Sequence, residues 1–165
     1  GGLIHLTGQG GGNGLGNSNI GISSVIVIKN AGSGAITLNG TGGSGTDSNM
    51  GILLGNGQIS TVNGDISLNG TGAGSGSTNY GIRFESGAQC LSTGTGAIVL
   101  SGTSGNGTKN NQGVNLAGGT LSAVGGSISI TGNGQGSGDY NYGIRIEDDS
   151  RCVLSLFTSS SIVFL

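Results

Sequence analysis

The chain has 165 residues, 40 of them glycine and none proline; 33% are hydrophobic, only 7% are charged, and the formal net charge is −2 at neutral pH. Such a balance excludes the basic stripe that counterion-release binding to nucleic acid requires. The longest apolar runs, Val25-Ile26-Val27-Ile28 and Ile162-Val163-Phe164-Leu165, fall far short of the roughly 20 residues a membrane helix needs, so no membrane insertion is expected.

The chain opens with Ile4-His5-Leu6-Thr7-Gly8, an aliphatic-x-aliphatic-x-Gly pattern that returns at Ile36-Thr37-Leu38-Asn39-Gly40, Ile66-Ser67-Leu68-Asn69-Gly70, Ile98-Val99-Leu100-Ser101-Gly102 and Ile128-Ser129-Ile130-Thr131-Gly132. Alternation with a period of 2 predicts a strand with Ile36 and Leu38 turned inward and Thr37 and Asn39 outward. A second pattern, Asn-x-Gly-[Ile/Val], keeps step with the first. Its glycines are Gly21, Gly51, Gly81, Gly113 and Gly143, at spacings of 30, 30, 32 and 30 residues. Each opens a further short strand, such as Gly51-Ile52-Leu53-Leu54 with Ile52 and Leu54 inward. A third, less regular strand follows at Gln58-Ile59-Ser60-Thr61, answered by Gln89-Cys90-Leu91-Ser92 and Thr120-Leu121-Ser122-Ala123.

Two patterns in phase at a fixed period are the mark of a solenoid. Three strands in about 30 residues predict one coil of a right-handed parallel β-helix, the hand following from the usual crossover between parallel strands. The whole chain, residues 1–165, then forms a single array of about five coils of 30 to 32 residues. Its outer coils carry the same patterns as the inner ones, so it is read as a segment of a longer repetitive protein. Glycine is expected at the corners, where a Cβ would obstruct the turn.

Stacking at about 4.8 Å per coil turns equivalent positions into columns. Asn19, Asn49, Asn79, Asn111 and Asn141 fill one such column, and amides at this spacing can hydrogen-bond from coil to coil as a buried structural ladder. Cys90 and Cys152 each lie nine residues after their motif glycine, which places them two coils and about 9.6 Å apart. That exceeds the Cα separation of about 7 Å that a disulfide tolerates, so two free thiols are expected. His5 has no companion ligand and reads as a surface residue.

The densest polar feature is Arg83, Glu85, Arg145, Glu147, Asp148, Asp149 and Arg151, with Tyr80, Tyr140 and Tyr142 beside it. Arg83 and Arg145 share one outward column and Glu85 and Glu147 the next, separated by Asn115 and Ala117 in the intervening coil. Surface ion pairing accounts for this arrangement at up to about 1 kcal/mol per pair. Tyr80, Arg83, Glu85, Tyr142, Arg145 and Glu147 could also form a shallow sugar-binding patch. Two carboxylates about 9.6 Å apart approach the upper limit for an inverting glycosidase. Coil-to-coil insertions of only two to four residues, the last around Asp148 to Ser161, leave too little chain for the walls of a catalytic cleft. No catalytic residue is therefore assigned.

Other signals are weaker. Gly42-Gly43-Ser44-Gly45-Thr46-Asp47 begins like a calcium-binding nonapeptide, but Asn49 replaces the apolar residue and no second copy follows, so no metal or other cofactor is expected. No Lys-Ser/Thr follows a glycine-rich corner, which removes the phosphate loop. The outward residues of the first strand, His5/Thr7, Thr37/Asn39, Ser67/Asn69, Val99/Ser101 and Ser129/Thr131, form a regular array of small polar groups of the kind ice-binding solenoids present.

The runs Gly34-Ala35-Ile36-Thr37-Leu38-Asn39-Gly40-Thr41-Gly42, Gly64-Asp65-Ile66-Ser67-Leu68-Asn69-Gly70-Thr71-Gly72 and Gly126-Ser127-Ile128-Ser129-Ile130-Thr131-Gly132 resemble the strand repeats of very large bacterial exoproteins. These are the filamentous-haemagglutinin-like and autotransporter-passenger-like adhesins. The resemblance implies an extracellular or cell-surface structural protein, an adhesive shaft or filament segment without enzymatic activity. The implied partners are the chain's own kind, through axial stacking or further repeats, and host or cell-surface glycans. A carbohydrate-binding surface and an ice-binding solenoid stand as the alternative functions.

Overall fold

The computed structural model describes residues 1–147, 149–155 and 162–165. These residues form an all-β solenoid of three parallel sheets, and successive strands of one coil go to different sheets. The first sheet has six strands, Ile4–Gln9, Ile36–Thr41, Ile66–Thr71, Ile98–Thr103, Ile128–Asn133 and Ile162–Phe164. The second has five, Ile22–Ser24, Ile52–Leu54, Ile82–Phe84, Val114–Leu116 and Ile144–Ile146. The third also has five, Val27–Asn30, Gln58–Thr61, Gln89–Ser92, Thr120–Ala123 and Arg151–Leu154.

Pairing is in register throughout. Ile4 lies opposite Ile36, Ile36 opposite Ile66, Ile66 opposite Ile98, Ile98 opposite Ile128 and Ile128 opposite Ile162. One aliphatic column therefore stacks on itself from end to end. Ile36, Leu38, Ile52, Ile66, Leu68, Ile82, Phe84, Ile98, Leu100 and Leu116 are fully buried inside the coils, and Ile59, Cys90 and Leu121 continue the core on the third sheet. A slip of one residue would turn every one of these side chains outward, so the aliphatic pattern fixes the register.

The two glycine patterns keep step because they are halves of one contact. A Cβ at Gly8, Gly40, Gly70, Gly102 or Gly132 would land on the carbonyl oxygen of Gly21, Gly51, Gly81, Gly113 or Gly143 of the same coil. The end of each of the first five first-sheet strands presses backbone to backbone against the start of a second-sheet strand. No side chain fits between them.

The corners depart from expectation at one position. Glycines such as Gly12, Gly14, Gly74 and Gly136 do take positive φ in the corners between the first and second sheets, but a further left-handed residue in each is Ser18, Ser48, Thr78, Asn110 or Tyr140, with φ of 59°, 59°, 60°, 56° and 62°. A Cβ in this conformation costs about 1–2 kcal/mol. The stack offsets the strain: Ser18, Ser48, Thr78 and Asn110 each donate their backbone N–H to a carbonyl of the next coil, Asp47, Ser77, Lys109 and Asp139 respectively. Each of these residues immediately precedes a ladder asparagine, and its conformation turns that asparagine inward.

The third sheet explains its own irregular sequence. Its last inward column is Asn30, Thr61, Ser92, Ala123 and Leu154, polar in the first three coils and apolar in the last two. Thr61 and Ser92 are buried there, as is Asn30. Val25 and Ile26 form the short corner of the first coil where the second has Gly55, Asn56 and Gly57, and both are exposed.

Candidate functional site

The five motif asparagines form a continuous ladder. Asn49, Asn79 and Asn111 are fully buried, while Asn19 and Asn141 are half-buried. Asn49 Oδ1 accepts both the backbone N–H (3.1 Å) and the Nδ2 (2.9 Å) of Asn19. Asn79 Oδ1 does the same for Asn49, at 2.9 and 3.1 Å. Asn141 Oδ1 repeats the arrangement for Asn111, at 2.9 and 3.2 Å. Between the third and fourth coils only the backbone bond persists, Asn79 N–H to Asn111 Oδ1 at 3.0 Å, because Asn79 Nδ2 turns to the Thr46 carbonyl at 3.0 Å. Two residues earlier a shorter ladder runs in parallel, in which Asn17 Oδ1 accepts the Asp47 N–H and Asp47 Oδ1 accepts the Ser77 N–H. One oxygen of Asp47, the acid of the calcium-like stretch, is thus engaged in linking coils. Among the described residues no group of three or more His, Cys, Asp or Glu side chains is placed to hold a metal.

Arg83 is the central residue of the second-sheet strand Ile82–Phe84, with Tyr80 and Glu85 on either side of the strand, and Arg145 is that of its equivalent Ile144–Ile146 two coils on, with Tyr142 and Glu147 on either side. Register brings them together in columns: Arg83 opposite Asn115, and Asn115 opposite Arg145. Within each triplet the guanidinium lies near the tyrosine ring, Arg83 at 5.1 Å from the Tyr80 centroid and Arg145 at 5.9 Å from that of Tyr142. Each also pairs with its glutamate, Arg83 Nε to Glu85 at 3.6 Å and Arg145 Nε to Glu147 at 3.5 Å. These side chains are roughly one quarter to one half exposed, so each pair contributes little to stability.

Burial separates the two tyrosines. Tyr80 is 5% exposed and Tyr142 is 43% exposed. Desolvation raises the Tyr80 phenol above its ordinary value, although nearby Arg83 offsets part of the effect. Tyr140, the left-handed corner residue, stands 59% exposed beside Tyr142, with ring centroids 6.4 Å apart and planes tilted by 55°. Asp148 and residues 156–161 of the last corner lie outside the described residues.

Between the triplets sits a polar network that sequence reading missed. Asn115 is completely buried and its Nδ2 donates to Glu147 Oε1 at 2.7 Å and to Gln112 Oε1 at 2.8 Å. An ionised carboxylate only accepts hydrogen bonds, so Glu147 fixes which way the Asn115 amide points and, through it, that of Gln112. Gln112, Asn115 and Ala117 occupy the positions that Tyr, Arg and Glu fill on either side, and Ala117 leaves a dent. With Arg145, Ile146 and Glu147 it lines an open depression of about 400 Å³. The only sequence signal was the replacement of three large residues by smaller ones in one coil.

Cys90 and Cys152 are free, with Leu121 between them in register. Burial pushes both thiols up, Cys90 most strongly because it is wholly enclosed. His5 is exposed on the first sheet, where Asn39 Nδ2 lies 2.8 Å from its Nε2. The outward array there is partly self-bonded, since Asn69 Nδ2 donates to Asn39 Oδ1 at 2.9 Å. No helix among the described residues is long and apolar enough to cross a membrane. No protein-family model, curated protein or solved structure matches the chain.

Proposed function

We propose that this solenoid is a structural length of an adhesin-like shaft or filament in a secreted or cell-surface protein, with a mechanical and non-catalytic role. The uninterrupted bonding along the axis carries this reading. All three sheets pair in register from coil to coil, and the asparagine ladder adds a fourth line of bonds inside the corner. Each coil directs its backbone N–H and C=O groups along the axis, so the partner such a stack accepts is more of the same repeat, in one chain or in a second copy.

Immunogold labelling of intact cells with antibodies to this segment tests the proposal on the full-length native protein. Labelling outside the envelope at a constant distance from it is the expected result. Label that appears only after the cells are permeabilised would overturn the surface-shaft reading.

A further inference from the structure

A purely mechanical shaft has no need for the face shared by the third, fourth and fifth coils. The Tyr–Arg–Glu triplet occurs there twice, at Tyr80, Arg83 and Glu85 and at Tyr142, Arg145 and Glu147, and nowhere else in the chain. Twice the strand spacing puts the two copies about 9.6 Å apart along the axis. Ala117, with Arg145, Ile146 and Glu147, lines the dent of about 400 Å³ over the fourth and fifth coils, space enough for one sugar ring. Placing Arg on Arg in adjacent coils would be repulsive, and any neutral residue between them would relieve it. The intervening coil does more than that, because it also exchanges glutamate for Ala117 and so opens the surface beside the fifth coil.

Gln112 Nε2 and Asn115 Oδ1 have no hydrogen-bond partner among the described residues, although both side chains are fully buried. Arg83 Nε likewise makes no hydrogen bond, since its 3.6 Å ion pair with Glu85 is too long for one. These three atoms are closed to solvent, as are the unmatched hydroxyls of Ser24, Ser60, Thr61 and Ser92 elsewhere in the coils, so the groups this face opens to a ligand are the partly exposed arginine and glutamate side chains. The patch has no net charge, because each guanidinium is matched by its own carboxylate, so it presents no field to concentrate an ion. It offers planar forks of donors beside carboxylate acceptors, which suit adjacent hydroxyls, and the exposed Tyr140–Tyr142 pair, whose rings suit the C–H face of a pyranose.

We propose that this face binds a neutral, extended oligosaccharide lying along the solenoid axis. One ring sits over Ala117, and the rings on either side hydrogen-bond to the Arg83–Glu85 and Arg145–Glu147 pairs. The two-coil separation is close to the length of one disaccharide unit of an extended β-linked chain, so the site prefers a tetramer to a dimer.

The chain has three tyrosines and no tryptophan, and Tyr80, Tyr140 and Tyr142 all stand at this face, so intrinsic fluorescence reports on the site alone. The probes are cellotetraose, chitotetraose and xylotetraose as neutral tetramers, tetragalacturonate as an acidic one, and cellobiose as the dimer. A saturable change with at least one neutral tetramer is expected, weaker for the dimer by about tenfold and weakened about tenfold by Tyr142→Ala. Ala117→Phe fills the dent and removes the response while leaving the urea midpoint of the protein near that of the parent. Should Ala117→Phe fail to fold, Tyr142→Ala, at an exposed position, decides by itself. The proposal is overturned by the absence of saturation with every neutral tetramer at several millimolar, by a response to tetragalacturonate alone, or by unaltered binding in both variants.

Discussion

Removing one amide from the ladder should destabilise the protein by an amount that depends on how many buried donors it orphans, not on how buried the amide itself is. Asn79 and Asn111 are equally inaccessible, yet they differ in this count. Asn79→Ala strips the acceptor from both the backbone N–H and the Nδ2 of Asn49, two donors in a region closed to water. The Thr46 carbonyl that Asn79 served keeps its bond from the Gly76 N–H. Asn111→Ala orphans only the Asn79 N–H, because Asn79 Nδ2 bonds elsewhere, and the Gly76 carbonyl keeps its bond from Thr108. Asn19→Ala orphans no donor, since the Asn19 amide serves only as a donor to Asn49 Oδ1 and to the Ser44 carbonyl. At about 1–3 kcal/mol per orphaned buried donor, the expected losses are about 3–5 kcal/mol for Asn79→Ala, about half that for Asn111→Ala, and at most about 1 kcal/mol for Asn19→Ala. Equilibrium urea unfolding followed by circular dichroism reads them out, with m-values compared because a solenoid can lose coils in parts. Equal losses for Asn79→Ala and Asn111→Ala, or a loss below about 1 kcal/mol for Asn79→Ala, would refute the donor count.

Gly40→Ala should prevent folding or cost more than about 3 kcal/mol, because its Cβ would collide with the Gly51 carbonyl oxygen. Gly11→Ala, where a Cβ meets nothing within 4 Å, should be neutral or stabilising by up to about 1 kcal/mol; thermal melts of the pair separate a steric requirement from glycine content in general. The thiols should be modified in order, Cys152 slowly and Cys90 only on unfolding, as followed by a chromogenic disulfide reagent with and without urea. The same burial makes stability fall in alkali. The unfolded Cys90 thiol ionises above its ordinary value of 9.0 while the native one stays protonated, so the native state holds the extra proton. That thiol's contribution is complete below this value and declines above it by up to about 1.4 kcal/mol per pH unit. Urea midpoints of Cys90→Val between pH 7 and 10 should decline less steeply than those of the parent protein; identical slopes would contradict the assignment.

What the sequence disclosed and what it hid follow from the same geometry. Stacking is a one-dimensional repetition, so any position whose role is repeated by every coil leaves a periodic trace. The aliphatic columns, the two glycines and the asparagines all did so. Their phase relationship was visible, but its cause was not, because the meeting of Gly40 with Gly51 is a contact across the coil. The left-handed corner position left only a faint trace: Ser18, Ser48 and Thr78 carry hydroxyls, but Asn110 and Tyr140 share with them the backbone conformation and not the side-chain type. There the neighbouring coil holds the backbone in place, and residue type is left free. The arginine and glutamate columns were legible because register follows from the period. The Asn115–Glu147 bond was not, since it depends on how two side chains turn within those columns.

That freedom bears on how a repetitive shaft could acquire a local function. Core positions cannot vary without disturbing the aliphatic column above and below, and the ladder asparagine is likewise shared with its neighbours. The positions in and beside the short second-sheet strands that lie outside the aliphatic column vary more freely from coil to coil. In the column just before the motif glycine they read Ile20, Met50, Tyr80, Gln112 and Tyr142, and in the outward column of the strand Ser23, Leu53, Arg83, Asn115 and Arg145. Charge and aromatic character concentrate on this one face in the third and fifth coils, with amides between them in the fourth, while the outward first-sheet residues of the same coils are small, and polar except for Val99. A recognition site assembled there needs no inserted loop and leaves the axial bonding intact. Its dimensions are then set by the coil rise, and ligands with a repeat close to a small multiple of that rise are the ones such a surface can match.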